Sequence, residues 1–288
     1  MIRIMVPLIA ASVIGVAISP LLGYLSPRAS RRVALPALIF PACASFALFA
    51  HLSLMGVVAT PIVGARLHRV LHLDGIHVTG QGTVGLVAAV VIALAFVRIA
   101  AMLIARQRVR NLHPGGILTL PDSRPYAYAV PGARGAIVLS DGLIRTLTTE
   151  EINAVVLHEQ AHIEGRHDLW MLAARICAIA NPFLLPVKRQ LEFALERIAD
   201  EAACRMCGSR RTVISALSKV ALGQPLPKMS LGIASTGVTS RIHWLRTDRQ
   251  SSRPVIAILA SAGMLSVVSL SIVQWHHIAS AIQAVCGA

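Results

Sequence analysis

Four runs of about 20 apolar residues constrain this chain more than any other feature. They cover 4–25 (IMVPLIAASVIGVAISPLLGYL), 34–58, 84–105 and 255–275. Each has the length needed to cross roughly 30 Å of hydrocarbon. In 288 residues that are 55% hydrophobic but only 4% aromatic, the surplus of Ala, Val, Leu and Ile exceeds what a soluble core uses. The first run is not expected to be a cleaved signal peptide, because it is too long for an h-region and only Arg3 precedes it.

The charge pattern orients the runs. The formal charge is +14, and its Arg residues crowd the ends of spans. Arg28, Arg31 and Arg32 follow the first run; Arg106, Arg108 and Arg110 follow the third; Arg246, Arg249 and Arg253 precede the fourth. The positive-inside rule then places these segments in the cytoplasm, with both termini outside the plasma (inner) membrane. Anionic lipid accounts for the basic balance. Direct nucleic-acid binding is not expected, since no recognition motif accompanies the charge. Five scattered cysteines, an odd number, argue against a disulfide framework.

The sequence predicts a mainly α polytopic membrane protein with four transmembrane helices. Residues 1–110 hold three spans with short loops, 111–253 form a cytoplasmic α+β domain, and 254–288 carry the fourth span and a short outer tail. Within the domain, 116–140 read as strands and turns, and Thr148 with Glu151 forms a capping box that starts a helix. Helices are expected over 188–206 and 209–222, and the Gly/Ser/Thr/Pro-rich stretch 223–240 reads as a loop. The apolar segment 169–187 contains Arg175 and two prolines; it is expected to lie in the domain or on the membrane surface.

The helix starting at Thr148 carries His158-Glu159-x-x-His162. Histidines one turn apart can reach the same ion. Ile152, Val155, Val156, Glu159 and Ile163 form one stripe at helical spacing, so Glu159 is a carboxylate on an otherwise apolar face, and a nearby cation would offset it. With a third ligand, one Zn²⁺ per chain keeps an open position for water, whose proton Glu159 can take as general base. Three sources compete for that ligand. Glu196, with Asp200 one turn later and Ala199 and Ala203 beside them, would bind the ion while Asp200 accepts a hydrogen bond from a ligand histidine. Asp168 would complete a metzincin-like spacing. Cys204 and Cys207 would make a closed structural site. His167 reads as a surface histidine or a substrate contact.

The stretches IVLSDGLIRTLTTEEINAVVLHEQAHIEGRHDLW and LEFALERIADEAACR, framed by three spans before and one after, resemble the BlaR/MecR-type membrane metallopeptidases. The resemblance implies an α+β gluzincin-like zinc protease domain between spans three and four. It makes His158, His162 and Glu196 the zinc ligands and Glu159 the base. It also implies regulated cleavage of a protein substrate, such as a transcriptional repressor or signalling protein, in signal transduction. About a dozen residues follow span four, so the family's C-terminal penicillin-binding sensor is expected to be missing. A signal would then enter through the spans, the 60–83 loop or another protein. The Ste24/heat-shock type, a membrane-protein quality-control protease, has a similar Glu-x-x-x-Asp signature. Gluzincin-like sites bind the substrate main chain along an edge strand, and PYAYAV at 125–130 fits that role, with Tyr126 and Tyr128 on one face and Ala127 and Ala129 on the other. A non-catalytic receptor stabilised by zinc is the competing class, and a homo-oligomer is compatible with the architecture.

Overall fold

The computed structural model describes residues 10, 13–14, 16–17, 19–58, 82–112, 115–131, 135–223, 233–247 and 254–286. Residues 4–9, 11, 12, 15 and 18 of the first run, and 60–81 of the 60–83 loop, lie outside the described residues. Residues 19–22 are helical and end in a turn at 23–25.

Two long helices follow, α1 (Pro27–Val58) and α2 (Gly82–Leu112). Within them, Pro27–Ala50 and Val84–Arg110 are long and apolar enough to cross a membrane. Half of the first stretch is buried, but only 6% of the second. α2 therefore presents apolar side chains such as Leu86, Val97 and Ile104 all round, a surface that lipid can cover and water cannot without cost. Where α1 was expected to begin at 34, it starts at Pro27, because proline's fixed φ suits a first helical turn.

A small sheet comes next, built from β1 (Gly116–Leu120), β2 (Ala127–Val130) and β3 (Ala136–Ser140). Its order is β1-β3-β2, with β3 parallel to β1 and antiparallel to β2. β3 is fully buried in the middle, and β2 is an edge. The remaining elements are helical: α3 (Asp141–Thr146), α4 (Thr149–Glu164), α5 (His167–Ala180), a 3₁₀ turn (Pro182–Leu184), α6 (Leu185–Cys207), α7 (Arg210–Gly223), α8 (Ile233–Thr247) and α9 (Pro254–Cys286). α8 corrects the sequence expectation, since residues 233–240 are helix rather than loop. Their Gly, Ser and Thr lower intrinsic helix propensity, but Leu245 is buried against α4, α6 and α7, and tertiary packing overrides weak propensity.

The largest apolar cluster joins Ala34, Leu38 and Ala42 of α1 to Ala174 of α5 and to Val187 and Leu191 of α6. The domain is thus fused to the first long helix over an extended contact. A second cluster puts β3 against α4 and α7. It receives the half-buried side chains Ile152, Val155, Val156 and Ile163, the stripe that carries α4 into the domain. The fully buried positions of α4 are instead Glu151, Ala154 and Ala161.

Candidate metal centre

α4 and α6 cross where both carry small residues, Ala154 on one and Ala199 and Ala203 on the other, all almost fully buried. The close approach brings four polar side chains together. His158 and His162 project from α4, with their Nε2 atoms 3.2 Å apart. Glu196 of α6 faces both, its Oε2 3.5 Å from His158 Nε2 and its Oε1 3.5 Å from His162 Nε2. One ligand atom from each of the three lies within 4.8 Å of the others. Among the described residues this is the group of His, Cys, Asp and Glu side chains so arranged.

The outer nitrogens of the imidazoles are also held. His158 Nδ1 donates to Asp200 Oδ1 at 3.1 Å. His162 Nδ1 lies 2.9 Å from Nδ1 of His167; with Nε2 of His162 directed at the cluster, its Nδ1–H is the donor. His167 is 2% exposed, which corrects its reading as a surface histidine. It reaches this position because Arg166 takes a left-handed conformation, φ 48°, and turns the chain sharply into α5. Gly165 leaves the space, since a Cβ there would come within 2.5 Å of His167 Nε2.

The electrostatics follow from burial and charge. Burial alone would depress His158, but hydrogen bonds to Asp200 and Glu196 outweigh it and hold the ring's pKa at about 10. His162 falls to about 4, chiefly through burial. Burial opposes ionisation of Glu196 and Asp200, yet His158 and Arg241 keep both carboxyls below their ordinary values. Glu159 goes the other way: burial raises it, as suits a group that must take up a proton.

Arg241 of α8 is the residue that sequence reasoning missed. It grips Asp200 with two bonds, Nε to Oδ2 at 2.8 Å and Nη2 to Oδ1 at 2.6 Å. Its Nη1 reaches Glu196 Oε2 at 2.9 Å. The forked geometry is one that arginine provides and lysine does not. A faint signal existed in the sequence, because Arg241, Trp244 and Leu245 share one helical face at i, i+3 and i+4.

The other candidates sit elsewhere. Asp168 is ion-paired with Arg106 of α2, outside the cluster. Cys204 and Cys207 pack against apolar neighbours. Arg197, which could have been a surface partner for the acidic residues, is buried and donates to the carbonyls of Gly23 and Leu25.

A cavity of about 1260 Å³ opens over the cluster, and Glu159, Ala127, Tyr128 and Ala129 line it. Tyr126 precedes β2 and stacks on Tyr128, ring centroids 6.1 Å apart. Ser140 N–H donates to the Tyr126 carbonyl. By the alternation of an antiparallel ladder, Tyr126, Tyr128 and Val130 therefore face β3, while the main chain of Ala127 and Ala129 faces away. Glu159 lies on that side of the strand, beside the Ala129 N–H, so the outer edge of β2 looks into the cavity.

The sequence around this site is similar to that of known metallopeptidases. Residues 97–180 match the model of Peptidase family M48. A curated relative, the plastoglobule-localized metallopeptidase 48 of Arabidopsis thaliana, is 29% identical over 147 residues, covering 47% of this chain and 41% of the relative. The chain thus spans less than half the length of that protein. No solved structure gives a significant match. The metallopeptidase part of the resemblance drawn from the motifs is carried by these comparisons, and its BlaR/MecR part is not. Residues 97–180, histidine motif included, are thus similar to Peptidase family M48.

Proposed function

We propose that this chain is a membrane-bound zinc endopeptidase that cuts a protein substrate beside the cytoplasmic face of the inner membrane. The observation that carries the reading is the convergence of His158, His162 and Glu196 within 4.8 Å, on a cavity that also holds Glu159. Two imidazole nitrogens and a carboxylate oxygen form a donor set that fits zinc, and the outer nitrogen of each imidazole has a partner that fixes its orientation. When bound, zinc would act as a Lewis acid and lower the pKa of water.

The chain's own residues do the rest. Glu159, poised by burial, takes the proton of the attacking water and passes it to the leaving amine. The free edge of β2 at Ala127 and Ala129 pairs with the substrate main chain and aligns the scissile bond. Asp200 holds His158 through Nδ1, and Arg241 holds Asp200 and Glu196 together. The membrane reading is supported by the apolar surface of α2 and by the basic ends of both long helices. Regulated removal of a repressor or signalling protein is the finer reading, resting on the BlaR/MecR-like stretches. Quality control of the Ste24/heat-shock type fits the same site, and cleavage of many damaged substrates rather than one would favour it.

The test is zinc content of the detergent-purified protein. Near-stoichiometric zinc, lost in Glu196→Ala and kept in Asp168→Ala, is expected. Folded wild type without zinc would end the protease reading. Zinc that stays in Glu159→Gln with phenotype and substrate levels unchanged would instead make the site structural, as in a non-catalytic receptor.

A further inference from the structure

Segment 169–187 is apolar yet belongs to the domain that carries the metal centre. Its position is defined by contacts with the two long helices, and these contacts lie at two levels. At the first, Arg31 of α1 stacks on Trp170 of α5, 4.6 Å from the ring centroid. At the same level Arg106 of α2 pairs with Asp168. Arg31 and Arg106 belong to the basic clusters that end the apolar stretches, so this is the level of the lipid headgroups. At the second level, Asn181 Nδ2 at the end of α5 donates to Ser45 Oγ of α1 at 3.1 Å. Beside it, Phe46 of α1 meets Phe96 of α2 edge-on, with centroids 5.6 Å apart.

Ser45 lies 14 residues beyond Arg31, roughly 21 Å along α1, and Asn181 lies 11 beyond Trp170, roughly 17 Å along α5. α5 therefore runs beside α1 from the headgroup level inward. The 3₁₀ turn then reverses the chain, and α6 returns to the turn at 23–25, where Arg197 is held by the carbonyls of Gly23 and Leu25. We infer that α5, the turn and the start of α6 form a re-entrant hairpin, with Phe183 and Leu185 at its tip embedded in the acyl chains of the bilayer. The inference rests on the membrane reading of α1 and α2.

The tip meets the requirements of lipid. Phe183 is 71% exposed and Leu185 is exposed beside it, so in water the two would form an unpaid apolar knob. A turn in hydrocarbon must satisfy its own backbone donors, and this one does. Asn181 N–H donates to Cys177 O, Leu184 N–H to Asn181 O, Phe183 N–H to the Asn181 side chain and Leu185 N–H to Pro182 O. Residues 182 and 186 are prolines and have no N–H. Ser45, which accepts from Asn181, donates its own hydroxyl hydrogen bond to Pro41 O at 2.7 Å. The charged residues nearest the tip are Lys188 and the exposed Arg189, about one turn past Leu185 on α6. Arg175 lines the cavity over the metal centre, Lys188 is paired with Glu192 at 3.1 Å, and long stems carry the heads of Lys188 and Arg189 towards the interface. Because the hairpin returns to the side it left, His162 and Glu196 stay on one face of the membrane. The chain thereby anchors the metal centre at the bilayer surface, with His167 opening the hairpin itself.

Depth-dependent fluorescence quenching tests this. The full chain, with native cysteines replaced by Ala, carries an NBD label at Phe183→Cys, Val97→Cys or Leu222→Cys in phosphatidylcholine/phosphatidylglycerol vesicles. Val97 is exposed on α2, and Leu222 is exposed near the end of α7. The expected result is that the Phe183 label matches the Val97 label, quenched by mid-chain doxyl lipid and at least about fivefold less quenched by iodide than the Leu222 label. A Phe183 label that follows Leu222 while Val97 stays in lipid overturns the hairpin alone. If the Val97 label also follows Leu222, the membrane reading falls and the hairpin with it. Leu185→Cys gives the same readout should Phe183→Cys not yield monodisperse protein.

Discussion

At the scale of single residues, the histidines, Glu196 and Asp200 were legible because their spacing is helical and local. Arg241, His167 and Gly165 were not. Arg241 acts through residues some 40 positions away, and His167 looked like any exposed histidine until Arg166 turned it inward. Replacing Asp200 with Asn leaves the packing but weakens the hold on His158, and zinc affinity is expected to fall about 10–100-fold in a competition titration with a chelator. Gly165→Ala drives a methyl into His167 Nε2. Overpacking of this kind costs about 1–3 kcal/mol, so a lower Tm and weaker zinc binding are expected together. Glu159→Gln should keep its zinc and lose about 10²–10⁴-fold in kcat, the ordinary worth of a general base.

At the scale of elements, α4 is fixed at its start as firmly as at its site. Thr148 and Glu151 complete the capping box, and the Glu151 carboxylate also accepts from Ser215 at 2.6 Å and Lys219 at 2.8 Å, both on α7. Burial resists its charge, but these donors win and lower its pKa from 4.5. A lowered folded pKa contributes stability that is full above that ordinary value and is lost as pH falls through the folded one. Glu151→Gln should therefore lower Tm at neutral pH, by about 1–3 kcal/mol of stability, and flatten the loss of stability on the acid side. Thermal melts in detergent between pH 3 and 7 would measure it. The capping box was visible in four consecutive residues, whereas its tie to α7 spans 64 and 68 positions and could come only from the fold. α8 is the opposite case, a helix that its own composition disfavours and that packing around Leu245 imposes.

At the scale of the whole molecule, Arg197 fastens three parts together. Its guanidinium lies 4.0 Å from the Trp244 ring centroid on α8 and caps the carbonyls of the turn before α1, while its neighbour Glu196 serves the metal centre. Burial lowers its pKa to about 10, still protonated at neutral pH. Arg197→Ala would leave those carbonyls without their donor and Trp244 without its cover. A loss of about 2–4 kcal/mol is expected from unmet hydrogen bonds and packing, seen as an earlier thermal transition and as easier proteolysis of the 23–25 turn. The sequence by itself determined what depends on composition and short spacing: apolar stretches long enough for a bilayer, basic residues at their ends, a capped helix with two histidines one turn apart, and two carboxylates one turn apart. Only the tertiary structure brought Glu196, rather than Asp168 or the two cysteines, beside His158 and His162, put Arg241 behind Glu196 and Asp200, and laid the 169–187 segment along α1. Periodicity specifies which face of an element is apolar, but the element that covers that face is selected by long-range packing, which no local window contains.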